Sequence, residues 1–222
     1  MKKLMVGLVS LALLVMVTGV SIAADSQPSA KATAAINKLY AIGAVNSADW
    51  VAGQGWTTVH SQQIKTANAK DLFIDVALQC GLYTRTKAEL KVGEIPDTST
   101  AQAQIEVRVV VDNVANLAEP GAIVFDKRVQ TLSAQLYQAL LTADGASIDN
   151  IGFVELIQET LQAHAFNFVM ADVTAGLHTI TVQARVVQET SGDATALGAV
   201  GIGSTTIESV RMIKGEDVVV DM

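Results

Sequence analysis

The sequence predicts a mostly β protein, an antiparallel β-sandwich of the jelly-roll kind with about eight to ten strands and one inserted helix. Period-two alternation of apolar and polar residues runs through several segments of the chain. Hydrophobic residues make up 50% of the chain and aromatic residues only 5%, and the apolar content is rich in β-branched side chains. Turn residues separate the alternating segments at short intervals, which favours a sandwich over βαβ units.

The clearest strand is LFIDVALQCGLY, which alternates over residues 72–82. One face of it is aliphatic, and Cys80 falls on that face, so we expect this thiol to be buried as a small hydrophobe. Further strands are predicted at residues 105–111, 122–138, 166–170 and 178–186, and at TTIESVRMIK near the C-terminus.

One segment departs from the strand pattern. Residues 153–164, FVELIQETLQAH, place Phe153, Leu156, Ile157, Thr160, Leu161 and His164 at helical spacing. Asp149 or Asn150 precedes the segment and is a suitable helix cap. We therefore expect one helix near residues 153–164, inserted between strands.

The N-terminus has the three-part layout of a signal peptide. Lys2 and Lys3 precede an apolar run of about 14 residues, too short for a spanning helix, and small residues end at Ala23. We expect a signal peptide at 1–23, an N-terminal arm or linker at 24–50 and a single β-sandwich domain at 51–222. No later segment has the composition of a membrane anchor, and no Asn-x-Ser/Thr sequon occurs. A secreted or periplasmic bacterial protein fits these features.

Charge and cysteine content exclude several classes of function. Removing Lys2 and Lys3 leaves 13 basic residues against 22 acidic ones, a net charge of −9. An acidic chain without a basic run is unsuited to nucleic acid or anionic lipid. The single cysteine excludes an intramolecular disulfide, so the core must stabilise the fold.

Two C-terminal segments carry a family resemblance. GLHTITVQARV, the small-residue stretch after it and TTIESVRMIK resemble the last strands of jelly-roll modules of the tumour-necrosis-factor and complement-globular type. IKTANAKDLFIDVALQCGLYT and SVRMIKGED are similar to a group of secreted bacterial proteins without assigned function. The resemblance covers about residues 56–217 and implies a jelly roll and a homo-oligomer, with a trimer as the first expectation. It implies no chemistry.

Candidate ligand sites are few. Asp144 and Asp149 lie in DGASID, which fails the EF-hand spacing and leaves only a looser calcium site. Trp50 and Trp56 flank GQG at the start of the predicted domain; they either stack on a sugar or pack as a plug at the sandwich entrance, and we favour the plug.

No catalytic constellation stands out. The three histidines, His60, His164 and His178, lack metal-ligand spacing, so we expect structural roles for them and no cofactor other than the calcium considered above. The carboxylate pairs Asp71 with Asp75 and Glu106 with Asp112 are weak glycosidase candidates. The glycine run at 198–203 lacks the strand-turn-helix setting of a dinucleotide site and indicates close approach of another backbone.

These observations favour a secreted, non-catalytic β-sandwich that acts by interaction or self-assembly at or outside the cell envelope. Two alternatives stay open: a glycan- or calcium-binding module, and an enzyme active on extracellular polysaccharide.

Overall fold

Long β-strands form the part of the chain that the computed structural model describes, residues 31–37, 44–46, 55–89, 97–135 and 153–213. In chain order they are β1 (Ala32–Asn37), β2 (Ala44–Asn46), β3 (Thr57–Thr66), β4 (Lys70–Glu89), β5 (Thr98–Val111), β6 (Asn113–Leu117), β7 (Ile123–Ser133), β8 (Phe153–Val173), β9 (Gly176–Ser191) and β10 (Asp193–Val210). No long apolar helix that would cross a membrane is found among these residues.

The strands form two sheets whose order is that of a jelly roll. One sheet has four strands in the order β1-β10-β4-β8. The other has β9 and β5 at its centre, with β2 and β3 along the free side of β9 and β6 and β7 along that of β5. Most chain neighbours, such as β3 and β4 or β8 and β9, lie in opposite sheets. The predicted sandwich of the jelly-roll kind is confirmed.

The core lies between the two sheets. The alternation along β4 explains how this strand contributes to the core. Every even residue from Leu72 to Ala88 is buried, while the odd residues are partly exposed. Cys80 is fully buried among these side chains, as the strand pattern predicts. The facing side chains come mainly from β5 and β9 and include Ile105, Val107, Ile180 and Val182.

The predicted helix at residues 153–164 is wrong, because these residues form the first half of β8. This strand pairs antiparallel with β4 without a register shift from Phe153↔Glu89 to Met170↔Leu72. Residues four positions apart lie on one face of a helix. They also lie on one face of a strand, because four is an even number and side chains alternate along a strand. The apolar residues at 153, 157 and 161 therefore lie on one face of a strand. Pairing with the long strand β4 favours the strand over the helix.

The predicted arm contributes strands to both sheets. β1 pairs with β10 at the edge of the four-stranded sheet, and β2 pairs in parallel with β9. The boundaries of the arm and of the domain stay predictions, and the signal peptide at 1–23 lies outside the described residues.

A polar network joins the sheets where β7 faces β8. The Gln130 amide donates to Thr86 Oγ1 at 2.7 Å and to the Leu156 carbonyl oxygen at 2.7 Å, and it accepts from Thr84 Oγ1 at 2.8 Å. Arg128 donates to Thr160 Oγ1 at 2.6 Å. Buried polar groups satisfied in this way fix the position of one sheet against the other.

Candidate interaction surface

The outer surface of the four-stranded sheet exposes large apolar side chains. Phe153, Ile157 and Leu161 alternate with Glu155 and Glu159 along this face of β8 and are 58%, 54% and 65% exposed. Leu197 on β10 is 52% exposed. Several large apolar side chains exposed on one face of a folded protein mark a candidate site of interaction.

Register places small residues between these large ones. Gly81 on β4 lies opposite Leu161 on one side and Ala199 on the other. Ala77 lies opposite Ala165 in the same way. We call the surface formed by Phe153, Ile157, Leu161, Gly81, Leu197 and Ala199 the apolar belt. A shallow surface with protruding apolar side chains fits a protein partner better than a small ligand, because small-ligand sites are concave pockets.

Charged residues lie between the apolar residues of the belt. Arg85 is opposite Ile157 in the sheet and pairs with Glu155 on β8 and with Asp193 on β10, the latter at 2.9 Å. Lys87 pairs with Glu89 at 2.6 Å, and its Nζ lies 4.5 Å from the centre of the Phe153 ring. Hydrogen bonds to the two carboxylates raise the pKa of Arg85. A mixture of apolar groups and paired charges is common at protein interfaces, which are on the whole about as polar as the rest of the surface.

Trp56 lies on the outer face of the other sheet, where two arginines contact its ring. The guanidinium carbons of Arg108 and Arg185 lie 4.4 Å and 4.6 Å from the centre of its ring. Arg185 also donates to Glu106 at 2.6 Å, and Arg108 to Gln183 at 2.8 Å. Burial, with a smaller effect of Arg185, lowers the pKa of Arg108. Cation–π contacts of this kind engage the ring. Trp50 lies outside the described residues.

Two histidines hold the fold together through hydrogen bonds. His60 is buried and its Nδ1 lies 2.7 Å from Thr205 Oγ1, while burial lowers its pKa. His178 Nδ1 lies 2.8 Å from Asp112 Oδ2, and its Nε2 lies 2.9 Å from the Thr174 carbonyl oxygen.

The third histidine meets a carboxylate that the sequence pattern did not connect to it. His164 Nε2 lies 3.5 Å from Asp126 Oδ2, and its ring packs edge-on against Phe125 at 6.1 Å between centres. Burial, and then the charge of Asp126, raise the pKa of Cys80 to about 12. A thiol in that environment stays protonated, so this cluster is not an activated nucleophile.

The carboxylate candidates make separate contacts. Asp71 is buried and accepts from the backbone N–H groups of Asp172 and Met212 at 3.0 Å and 2.9 Å. Glu106 and Asp112 are engaged by Arg185 and His178, as described above. Asp144 and Asp149 lie outside the described residues. No group of three His, Cys, Asp or Glu side chains able to hold a metal occurs within the part of the chain that the structure describes.

Within the glycine run, Gly198 approaches a side chain of the facing sheet, where close approach of another backbone was predicted. A Cβ at Gly198 would lie 2.7 Å from Val186 Cγ1 of β9. The small residue at this position is therefore explained by packing inside the sandwich.

Comparison with known proteins leaves the family open. No family model matches the chain, and no curated protein matches it. Among solved structures, one match is a chain from the structure of infectious bursal disease virus Gx strain, with 12% identity and a TM-score of 0.26. The match covers 85% of this chain and 40% of the viral chain. A likeness at this level carries no argument, so the fold rests on the strand order.

Proposed function

We propose that this chain is a secreted, non-catalytic β-sandwich protein that acts by interaction or self-assembly at or outside the cell envelope. The observation that carries the proposal is the apolar belt on the β1-β10-β4-β8 sheet. Burying such side chains is worth about 25 cal/mol per Å² of apolar surface, which favours a protein partner. The tumour-necrosis-factor and complement-globular resemblance of the C-terminal strands points the same way and implies a homo-oligomer, with a trimer as the first expectation.

Export is tested separately from association. The full sequence is expressed in a bacterial host, the culture is fractionated, and the N-terminal mass of the product is measured. We expect a product that begins at residue 24 in the periplasm or the medium. A product in the cytoplasm that still begins at Met1 would contradict the proposal.

Association is tested on the same product by sedimentation velocity over a hundredfold range of concentration. We expect a species larger than one chain, because the apolar belt is removed from water only by a partner. A single-chain species at every concentration, with no partner recovered after cross-linking in the producing cells, would contradict the proposal.

A glycan- or calcium-binding module is the second candidate. A cleft of about 670 Å³ at one end of the sandwich is lined in part by Asp112, Glu119, Asn116 and Asp172, whose oxygens suit sugar hydroxyls. A ligand that binds only the folded state raises the melting temperature. We expect a rise with calcium or a glycan if this candidate is correct, and no shift across a panel of both would count against it.

A further inference from the structure

β8 is an edge strand whose main chain is free along one side within the described residues. It pairs with β4 on the other side only, apart from one bridge between Val169 and Glu119. In that bridge the N–H and C=O of Val169 point away from β4, bonding Glu119 at 3.0 Å and 2.8 Å. Because the register with β4 has no shift from residue 153 to residue 170, every odd residue from Phe153 to Asn167 directs its N–H and C=O to the same free side.

Within the described residues, this edge has few of the devices that protect natural edge strands. Proline, charged side chains and bulges prevent unwanted pairing at such edges. The segment FVELIQETLQAHAFN, residues 153–167, contains no Pro, Lys or Arg, its acidic residues are Glu155 and Glu159, and it pairs with β4 without a bulge. A weakly protected edge of this length is a template for another strand.

The side chains beside the free edge also lack cover. Phe153, Ile157 and Leu161 are exposed on the outer face, and Leu156 and Phe166 are each 38% exposed on the inner face. A strand added along the edge would cover apolar groups on both faces as well as the free N–H and C=O groups.

We propose that the occupant is β8 of a second copy of this chain, paired antiparallel about a two-fold axis at Thr160. The proposal rests on the proposed self-association and names its surface. It joins the two four-stranded sheets into one continuous sheet, and it closes after two copies because the same patch meets itself. The pair is therefore a dimer, or the unit of an even-numbered oligomer, in place of the trimer.

The extent of the free edge selects this register, because residue 160 is the centre of residues 153–167 and an axis there pairs the whole edge with its copy. Charge permits this register: Glu155 then lies opposite Ala165 and Glu159 opposite Leu161. No two glutamates are directly opposite each other, as they would be with an axis at Glu159, which is destabilising. The direction of the free backbone groups also fits this axis. The odd residues, whose N–H and C=O groups face the free side, form the hydrogen-bonded pairs, and Thr160 faces its copy in a non-hydrogen-bonded pair.

A cysteine at the axis tests the register. In a non-hydrogen-bonded pair the two Cα atoms lie about 4.5 Å apart, within the range of a disulfide. We expect Thr160→Cys to form a disulfide-linked dimer under mild oxidation, seen at twice the chain mass without reductant. Gln158→Cys is the matched control, because it lies on the same face but about 14 Å from its copy. The native Cys80 is buried and does not interfere.

A proline at the edge tests the pairing itself. Ala163 directs its N–H to the free side, so Ala163→Pro removes a donor from the edge and keeps the bonds to β4. We expect a folded variant, by circular dichroism and melting temperature, that sediments as a single chain. Gln102→Ala, on the outer face of the other sheet, is expected to leave the mass unchanged.

The outcomes separate this inference from the proposed function. Thr160→Cys that cross-links while Gln158→Cys does not, with loss of association in Ala163→Pro, supports edge pairing. An associated wild type with no selective cross-link, and a folded Ala163→Pro of unchanged mass, overturns edge pairing and leaves self-association standing. A wild type that is a single chain at every concentration overturns both edge pairing and self-association.

Discussion

Leu161 of β8 lies across Gly81 of β4, with its Cδ1 3.5 Å from the position that a Cβ at residue 81 would occupy. The glycine leaves the centre of the sheet surface shallow, and the leucine beside it stays 65% exposed. This pair forms the middle of the apolar belt, on which the proposed self-association depends.

Replacing Leu161 with glutamate tests the belt. We expect Leu161→Glu to weaken association at least about tenfold, or about 1.4 kcal/mol, because a charge enters an apolar contact and lies opposite Glu159 of the second copy. The exposed side chain contributes little to the stability of a single chain, so the melting temperature of the dissociated variant should equal that of the dissociated wild type. Light scattering over a dilution series measures the association.

The matched control for that variant is Val129→Glu on β7. Val129 is 55% exposed, as accessible as the belt residues, but it belongs to the other sheet. Equal loss of association in Val129→Glu and Leu161→Glu would show that added charge, not the belt, is responsible.

Gly198 and Gly81 lie in one sheet but differ in the space around them. A Cβ at Gly198 would lie 2.7 Å from Val186 Cγ1, whereas a Cβ at Gly81 meets only ordinary contacts. We expect Gly198→Ala to destabilise the fold by about 1–3 kcal/mol through overpacking. Gly81→Ala should stay within about 0.5 kcal/mol of the wild type. Urea unfolding measures both.

A second substitution checks the cause. Shortening the facing side chain with Val186→Ala should restore part of the stability of Gly198→Ala, so the two changes are expected to be non-additive. Simple addition of the two losses would show that Gly198 is required for another reason.

His60 makes stability depend on pH. Burial lowers its pKa below the ordinary value of 6.5, so near and below pH 6.5 the unfolded chain takes up a proton that the folded chain does not. The contribution is fully present above pH 6.5 and is lost as the pH falls below it. We expect His60→Gln to reduce the fall in unfolding free energy between pH 7.5 and pH 5. Urea curves at the two pH values for both proteins give the difference, and an equal fall in both would refute this role.

Cys80 should be inert in the folded protein. Its thiol is fully buried and its pKa is raised to about 12, so almost no thiolate is present at pH 8. We expect no labelling by iodoacetamide in buffer and complete labelling in denaturant, both measured by mass spectrometry. Rapid labelling of the native chain would show that the sheet opens around β4.

Local pattern predicts those parts of the fold that one strand determines by itself. The alternation around Leu72 and Ile74 identifies β4, its buried face and the buried Cys80. The same reasoning failed at residues 153–164, because apolar residues spaced by four fit a helix and a strand equally, and only the pairing with β4 distinguishes them.

The contacts of the candidate sites depend on pairing between distant strands. Arg108 and Arg185 reach Trp56 because β5 and β9 are neighbours, and no sequence motif marks that relationship. His164 and Asp126 meet for the same reason, across the gap between β7 and β8. The apolar residues of β8 were visible in the sequence, but their exposure was not, since it follows from the position of β8 at the sheet edge.

The absolute mass of the exported chain in solution tests the central claim most directly. It is measured by light scattering on a sizing column, with and without calcium, beside Leu161→Glu. We predict a mass of at least two chains for the wild type, unchanged by calcium, and a lower mass for the variant. A single-chain mass for the wild type at every concentration would contradict self-association through the β1-β10-β4-β8 sheet.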